Sequence, residues 1–285
     1  MITIRSLKFG KHRLVYRTCG EGPDVVMIHG WLSSSRMWDE TMRCLAPHYR
    51  VWAIDLLGFG DSRTTEDMPL TVDRHVDLIV TFCQQLGLHP YAVVGHSMGG
   101  SIAIKLALDY PTLMQRLVLV CPVVTGNLHF NVGTLIGKAA TQRLMAVGEK
   151  WWPALQTMPG SNLFVAPPYL NSDAIRRSIE DFRRATWQAT YNGLTSLATI
   201  RLDRFLHQIA ISTLVVTGSQ DLTVPPSDSR LAAKIIPDST LLEYSNCHHQ
   251  PTDEETEHFN RTLRDFLDAG LGQSADVDER ADQSA

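Results

Sequence analysis

Residues 95–100 read Gly-His-Ser-Met-Gly-Gly, and this stretch decides the fold. The apolar run at 91–94 before it predicts a buried strand, and residues 101–108 after it predict a helix. A strand that turns directly into a helix bends sharply, and the glycines two positions either side of Ser97 leave room for that bend. Ser97 would then stand at a helix N-terminus, where free N–H groups and the helix dipole favour developing negative charge. The stretch therefore predicts a serine nucleophile.

The composition limits the classes of protein to consider. The 285 residues are enough for one large α/β domain or for a core with an inserted small domain. The net charge of −4 offers no basic surface for nucleic acid, and no run approaches the ~18 apolar residues of a membrane span. The first residues lack the apolar stretch of a secretory signal, and the five cysteines are scattered. We therefore expect a cytoplasmic protein with reduced thiols and without a zinc site.

Short apolar strands alternate with helical segments through most of the chain. This alternation predicts a mostly parallel sheet with helices on both faces, preceded by an antiparallel hairpin at residues 3–18. From Val123 to Gln208 the sequence pattern changes to helical segments broken by Gly and Pro, and this pattern predicts an all-helical insertion. The predicted domains are an α/β core at 1–122 and 209–270, the insertion at 123–208, and a disordered tail at 271–285.

The polar residues that follow the strands are the candidates for a shared site. In parallel sheets the active groups gather at the carboxyl ends of the strands, and Ser97 and Asp221 each come directly after one. A serine nucleophile needs a base, and the base needs an orienting carboxylate. Asp221 is the candidate carboxylate, although an aspartate that caps a turn would have the same pattern. His248 and His249 follow the last strand and are the candidate bases, whereas His96 is expected to be a packing residue or to support the oxyanion loop.

The order Ser97, Asp221, His249 resembles the triad order of the α/β-hydrolase superfamily. Three further stretches are similar to motifs of that family. His29-Gly30-Trp31 resembles its oxyanion loop, and residues 55–62 resemble its Asp-x-x-Gly-x-Gly-x-Ser loop. Residues 247–260 resemble its C-terminal ending. The resemblance covers about residues 12–268. It selects His249 as the base and puts His248 where the family usually has Gly. It also implies that the insertion is a cap and that the backbone N–H groups of Trp31 and Met98 form the oxyanion hole.

The resemblance implies a serine hydrolase of the carboxylesterase type, with no metal and no cofactor. Ser97 would attack an ester of an apolar, short-to-medium acyl group, with His249 as base and Asp221 orienting it. Carbon–carbon bond hydrolases and cofactor-free perhydrolases share the triad, and a non-catalytic ligand-binding receptor on this fold is an alternative of another class. The loop at 29–34, His-Gly-Trp-Leu-Ser-Ser, differs from the His-Gly-x-Gly-Pro-Gly of the carbon–carbon bond hydrolases.

Two further expectations concern side chains outside the triad. The acidic run Asp253-Glu254-Glu255 is expected to be a solvated first helical turn. The insertion is rich in large apolar side chains, most of which should pack its own helices while a subset lines an apolar pocket above Ser97. These are Leu144, Met145, Trp151, Trp152, Leu155, Met158, Leu163, Phe164, Phe182 and Trp187.

Overall fold

A computed structural model describes residues 1–128, 138–158, 167 and 169–282, with side chains described outside 138–146 and 272–282. Within these residues, nine strands form one sheet in the order β1-β2-β4-β3-β6-β7-β8-β9, and the short β5 pairs with β2. The strands are β1 (Thr3–Phe9), β2 (His12–Cys19), β3 (Asp24–Ile28), β4 (Arg50–Ile54), β5 (Arg63–Thr64), β6 (Ala92–His96), β7 (Arg116–Val120), β8 (Ser212–Gly218) and β9 (Ser239–Tyr244). The helices are α1 (Asp39–Leu45), α2 (Val72–Leu86), α3 (Met98–Asp109), α4 (Lys138–Thr157), α5 (Ser172–Arg184), α6 (Trp187–Thr199), α7 (Pro226–Ile235), α8 (Pro251–Glu254) and α9 (Thr256–Asp282).

The strand directions confirm the predicted α/β class. β1 and β2 form the antiparallel start, and β2 is also antiparallel to β4. From β4 across to β9 all neighbouring strands are parallel. The carboxyl ends of these strands therefore lie along one edge of the sheet, where the polar loops that follow them can meet.

Helices cover both faces of the sheet, so its central strands are buried throughout. Alternate residues of β3 belong to different apolar clusters: Val26 and Ile28 pack with α2 and α3, whereas Val25 and Met27 pack with α1 and α9. Every residue of β3, β6 and β7 is buried. This two-sided burial explains the continuous apolar runs of these strands, which show no polar alternation.

Three helices, α4 to α6, connect β7 to β8, and the described part of this connection contains no strand. Phe182 is buried, and Trp152 packs edge-on against it with ring centroids 5.3 Å apart. Two side chains of α4 and that of the residue after it are instead exposed by 42–56%, which corrects the expectation that they pack inside the cap or line a pocket. These are Trp151, Leu155 and Met158, and helical periodicity alone does not show which side of a helix faces solvent. Four predicted cap residues lie outside the described residues or side chains, namely Leu144, Met145, Leu163 and Phe164.

Two helical segments near the ends of the chain have particular boundaries. The segment before β4 begins as a 3-10 turn at Ser35–Trp38, with Ser34 as its N-cap, and continues as α1. The last helix, α9, continues to Asp282, into the predicted tail at 271–285. None of the helices in the described ranges combines the length and hydropathy needed to cross a membrane.

Candidate active site

The turn between β6 and α3 has the strained geometry that the sequence predicts. Ser97 has φ 54° and ψ −114°, a conformation that few residues with side chains adopt. A Cβ on Gly95 would lie 2.2 Å from the carbonyl oxygen of Gly99, and one on Gly99 would lie 2.3 Å from that of Ile28. Both positions therefore require glycine, and the turn presents Ser97 at the N-terminus of α3.

Asp221, His249 and Ser97 form a continuous buried hydrogen-bonded chain. Nδ1–H of His249 donates to Oδ2 of Asp221 at 2.6 Å, and Nε2 of His249 lies 3.0 Å from Oγ of Ser97. The other Asp221 oxygen accepts the backbone N–H groups of Thr223 at 2.8 Å and Val224 at 2.9 Å. These contacts fix the His249 tautomer, with Nδ1 protonated and Nε2 free to accept the serine proton.

Asp221 remains ionised although it is buried. Burial by itself raises the pKa of this carboxyl, but the positive charge and hydrogen bond of His249 outweigh burial, with help from the two backbone N–H donors. The net effect is a pKa below the usual aspartate value. An ionised carboxylate at this place can both orient His249 and stabilise its protonated form.

His96 supports this arrangement but is not placed to act as the base. Its Nε2–H donates to the backbone oxygen of His249 at 2.8 Å, and the two rings lie 4.8 Å apart. Burial, followed by the nearby charge of His249, lowers the pKa of His96 to about 3. A neutral histidine that donates to this carbonyl holds the backbone of His249 in place, a contact that the sequence did not predict.

The loop at residues 29–31 lies directly against the serine. A Cβ on Gly30 would lie 2.9 Å from Nδ1 of His96 and 3.1 Å from Cβ of Ser97, so a side chain here would push these groups away. His29 anchors the loop: its Nδ1–H donates to the oxygen of Gly30 at 2.7 Å, and its Nε2 accepts the N–H of Leu56 at 2.9 Å. The segments that carry the predicted oxyanion donors, Trp31 and Met98, are therefore both beside Ser97.

Residues 55–62, which resemble a family motif, form hydrogen bonds that hold their loop in place. The carboxylate of Asp55 accepts the N–H groups of Ser35 and Asp61, both at 2.8 Å. Ser62 donates through Oγ to the oxygen of Asp55 at 2.6 Å and accepts the N–H of Val15 at 2.8 Å. These bonds hold the loop against the start of the chain and against the segment that follows the 29–31 loop.

The helix α6 of the predicted cap passes close to the oxyanion segments. Nε1–H of Trp31 donates to the backbone oxygen of Thr190 at 2.8 Å. A Cβ on Gly193 would lie 3.2 Å from Cδ1 of Trp31 and 3.3 Å from Sδ of Met98. The absence of a side chain at Gly193 thus lets α6 approach both Trp31 and Met98.

The acidic run that follows His249 is largely withdrawn from solvent, which corrects the expectation of a solvated helical turn. Asp253 pairs with Arg177 of α5 at 2.6 Å, with side-chain exposures of 11% and 18%. The carboxylate of Glu254 is only 8% exposed and binds the loop that carries His249. Their partners come from distant segments or from backbone N–H groups, so charge patterning along the sequence could not reveal them.

Cys121, Asp221 and His249 also place metal-ligand atom types within 4.8 Å of one another. A cysteine binds metals as the thiolate. Burial, and then the Asp221 charge, raise the pKa of the Cys121 thiol well above its usual value, so the protonated form is favoured. Asp221 and His249 already bind each other, so the donor set is poorly suited to a metal ion.

Comparison with known proteins agrees with this fold. Residues 23–148 match the family model of the α/β hydrolase fold. The pimeloyl-[acyl-carrier protein] methyl ester esterase of Nitrosospira multiformis is 28% identical over 261 residues, which are 85% of this chain and 93% of that protein. The protein of the same name from Aliivibrio fischeri is 28% identical over 260 residues, covering 89% and 97%.

Solved structures show the same fold. A bromoperoxidase from Bacillus anthracis superposes with a TM-score of 0.78 at 21% identity, over 94% of this chain and 100% of that one. An esterase from Exiguobacterium antarcticum superposes with a TM-score of 0.76 at 23% identity, over 90% and 96%. The chain therefore has the α/β hydrolase fold. The relatives that it matches by sequence include esterases.

Proposed function

We propose that the chain is a serine esterase in which Ser97 forms the acyl-enzyme, His249 is the general base and Asp221 orients His249. One observation carries the proposal: the two His249 nitrogens lie 2.6 Å from the Asp221 carboxylate and 3.0 Å from the Ser97 hydroxyl. A chain of carboxylate, imidazole and hydroxyl with these contacts activates a serine for acyl transfer. The intact triad also argues against a non-catalytic receptor on this fold.

The reaction would proceed in two halves. Ser97 attacks the ester carbonyl while His249 takes its proton, and the same proton then goes to the leaving alcohol. The negative charge on the carbonyl oxygen would be stabilised by the backbone N–H groups of Met98 and Trp31. Water activated by His249 then attacks the acyl-enzyme, releases the carboxylic acid and restores the free serine.

The substrate that we propose is an ester with an apolar acyl group of short to medium length. The side chains of Trp31 and Met98 meet α6 at Gly193, which places apolar groups at the residues of the proposed oxyanion donors. Apolar walls favour binding by about 0.8 kcal/mol for each methylene group that they bury. Two relatives named for a pimeloyl methyl ester, a seven-carbon acyl group, support a medium-length acyl chain.

A panel of p-nitrophenyl esters tests the proposed activity and the role of α6 together. We expect kcat/KM to rise from acetyl to butyryl or hexanoyl esters and to fall for long chains, with Ser97→Ala inactive on all of them. Because Gly193 has little free space above it, Gly193→Val should lower kcat/KM for the hexanoyl ester about tenfold and for the acetyl ester less.

Thr199→Val is the matched control, since Thr199 is an exposed residue at the end of the same helix. This variant should keep the wild-type chain-length profile. A profile that is flat or declines from acetyl upward would refute the apolar pocket, and equal losses on all esters in Gly193→Val would refute the role of α6.

A further inference from the structure

We propose that Glu254 is a positioning residue that holds His249 in place by binding the backbone on both sides of it. Oε2 of Glu254 accepts the N–H of His248 at 2.8 Å, and Oε1 accepts the N–H of Gln250 at 2.9 Å. One carboxylate therefore clamps the residues that immediately precede and follow the proposed base. This inference rests on the proposed function, because it assigns a role in the reaction through His249.

The two bonds from Glu254, called the clamp below, add to two other contacts that hold His249. Asp221 holds the imidazole, and His96 holds the backbone oxygen. Without Glu254, the N–H groups on either side of His249 would lose the partners that fix the loop. Displacements of about 1 Å in a catalytic group can reduce the rate about a hundredfold, so a loosened loop should be measurable in the chemical step.

The side chain of His248 adds a third bond to the same carboxylate. Its Nδ1–H donates to Oε2 of Glu254 at 2.8 Å. The ring of Tyr169 stacks on His248 almost in parallel, with centroids 3.9 Å apart and planes 3° apart. Tyr169 comes from the segment just before α5 and covers this bond from outside. Burial, followed by the charge of Glu254, raises the pKa of the Tyr169 hydroxyl, in keeping with a low-polarity setting for the clamp.

The two backbone hydrogen bonds to Glu254 contribute more to the position of the loop than the bond from the His248 side chain. Removal of the His248 ring leaves both backbone N–H groups bound to Glu254, so the loop should keep its position. Removal of the Glu254 carboxylate frees both N–H groups and the His248 ring at once. The clamp therefore resides in Glu254, and His248 and Tyr169 reinforce it.

The experiment compares Glu254→Ala, Glu254→Gln and His248→Ala with the control Glu257→Gln, which changes an exposed glutamate one turn further along. A fluorophosphonate titration counts the competent serines, so that kcat is expressed per active site. We expect Glu254→Ala to lower kcat about tenfold to a hundredfold with KM within twofold. The rate of fluorophosphonate labelling should fall by the same factor. Glu254→Gln, which keeps one acceptor, should lose about threefold to tenfold, and His248→Ala and Glu257→Gln should stay within about threefold of wild type.

A kcat per titrated site within twofold of wild type in both Glu254 variants would overturn the proposal, whatever their melting temperatures. A rise in KM at constant kcat would also overturn it, since that outcome indicates a substrate contact. If Glu254→Ala does not fold, Glu254→Gln decides by the same criteria. Ser97→Ala separates the two hypotheses: an active Ser97→Ala enzyme refutes the proposed function, whereas an inactive one together with normal Glu254 variants refutes only the clamp.

Discussion

Nε2 of His249 lies 3.0 Å from Oγ of Ser97, although 152 residues separate the two along the chain. The contact follows from the sheet. Ser97 comes at the carboxyl end of β6, and His249 follows β9, which is parallel to β8 and to β7 beside β6. Since all these strands end at one edge, their loops converge there, and the sharp turn at Ser97 directs the hydroxyl toward the histidine.

The two adjacent histidines should respond very differently to substitution. His249→Ala removes the group that contacts both Asp221 and Ser97, so ester hydrolysis should fall at least about a thousandfold, as severely as in Ser97→Ala. His248→Ala removes only the contact with Glu254 and should cost less than about threefold. Steady-state kinetics on a p-nitrophenyl ester measure both. An inactive His248→Ala beside an active His249→Ala would show that the base is misassigned by one residue.

Asp221→Asn should be nearly as damaging while it leaves the structure intact. The amide is almost the same size as the carboxylate, but it cannot both accept from Nδ1 of His249 and stabilise the imidazolium. Comparable substitutions in serine triads lower kcat about 10⁴-fold. Asp238→Asn, at the exposed residue just before β9, is the control and should keep full activity. A loss below about tenfold in a well-folded Asp221→Asn enzyme would argue for another carboxylate.

A single ionisation should control the acid limb of the pH profile of kcat/KM. A general base must be neutral to accept the serine proton, so activity should rise with pH on the acid limb. The pKa of Asp221 is lowered, so its protonation occurs at lower pH and adds nothing to this step. Chelators should have no effect. A second proton on the acid limb, or activity lost with EDTA and restored by a divalent metal, would contradict the mechanism.

Folding stability should fall in mild acid because of buried neutral histidines. His75 is fully buried, both its ring nitrogens lack a partner in the described part of the chain, and burial lowers its pKa to about 3. The unfolded chain takes up that proton near pH 6.5, so stability is present above pH 6.5 and is lost as the pH falls toward 3. At pH 5 the loss from His75 is about 2 kcal/mol.

The variant His75→Leu isolates this effect. Its free energy of unfolding should decrease by about 2 kcal/mol less than that of wild type between pH 7 and pH 5. Denaturant titrations at the two pH values provide the numbers. The same decrease in both proteins would show that His75 does not stay neutral inside the fold.

The sequence predicted those parts of the fold and site that depend on local pattern. Apolar runs and glycines marked the strands and the turn at Ser97, because burial on both faces of a sheet and a tight bend restrict residue types locally. The order of Ser97, Asp221 and His249 then suggested which loops converge. The structure brings these three side chains together, as that order requires.

The parts that the sequence did not predict depend on which groups the folded chain places beside each residue. Asp253 and Glu254 looked like a solvated helical turn, but their partners are Arg177 and the backbone around His249. Trp151 looked like a buried cap residue, but it is 56% exposed. In each case the residue type was compatible with either environment, and only the packing of the surrounding elements decides between them.

The central claim is that Ser97 is the nucleophile activated by His249. Its most direct test is mass spectrometry of the intact protein after reaction with a fluorophosphonate, followed by mapping of the labelled peptide. We expect one equivalent of label on Ser97, no label in Ser97→Ala, and labelling at least about a hundredfold slower in His249→Ala. Label on another residue, or full ester hydrolysis by an unlabelled Ser97→Ala enzyme, would contradict it.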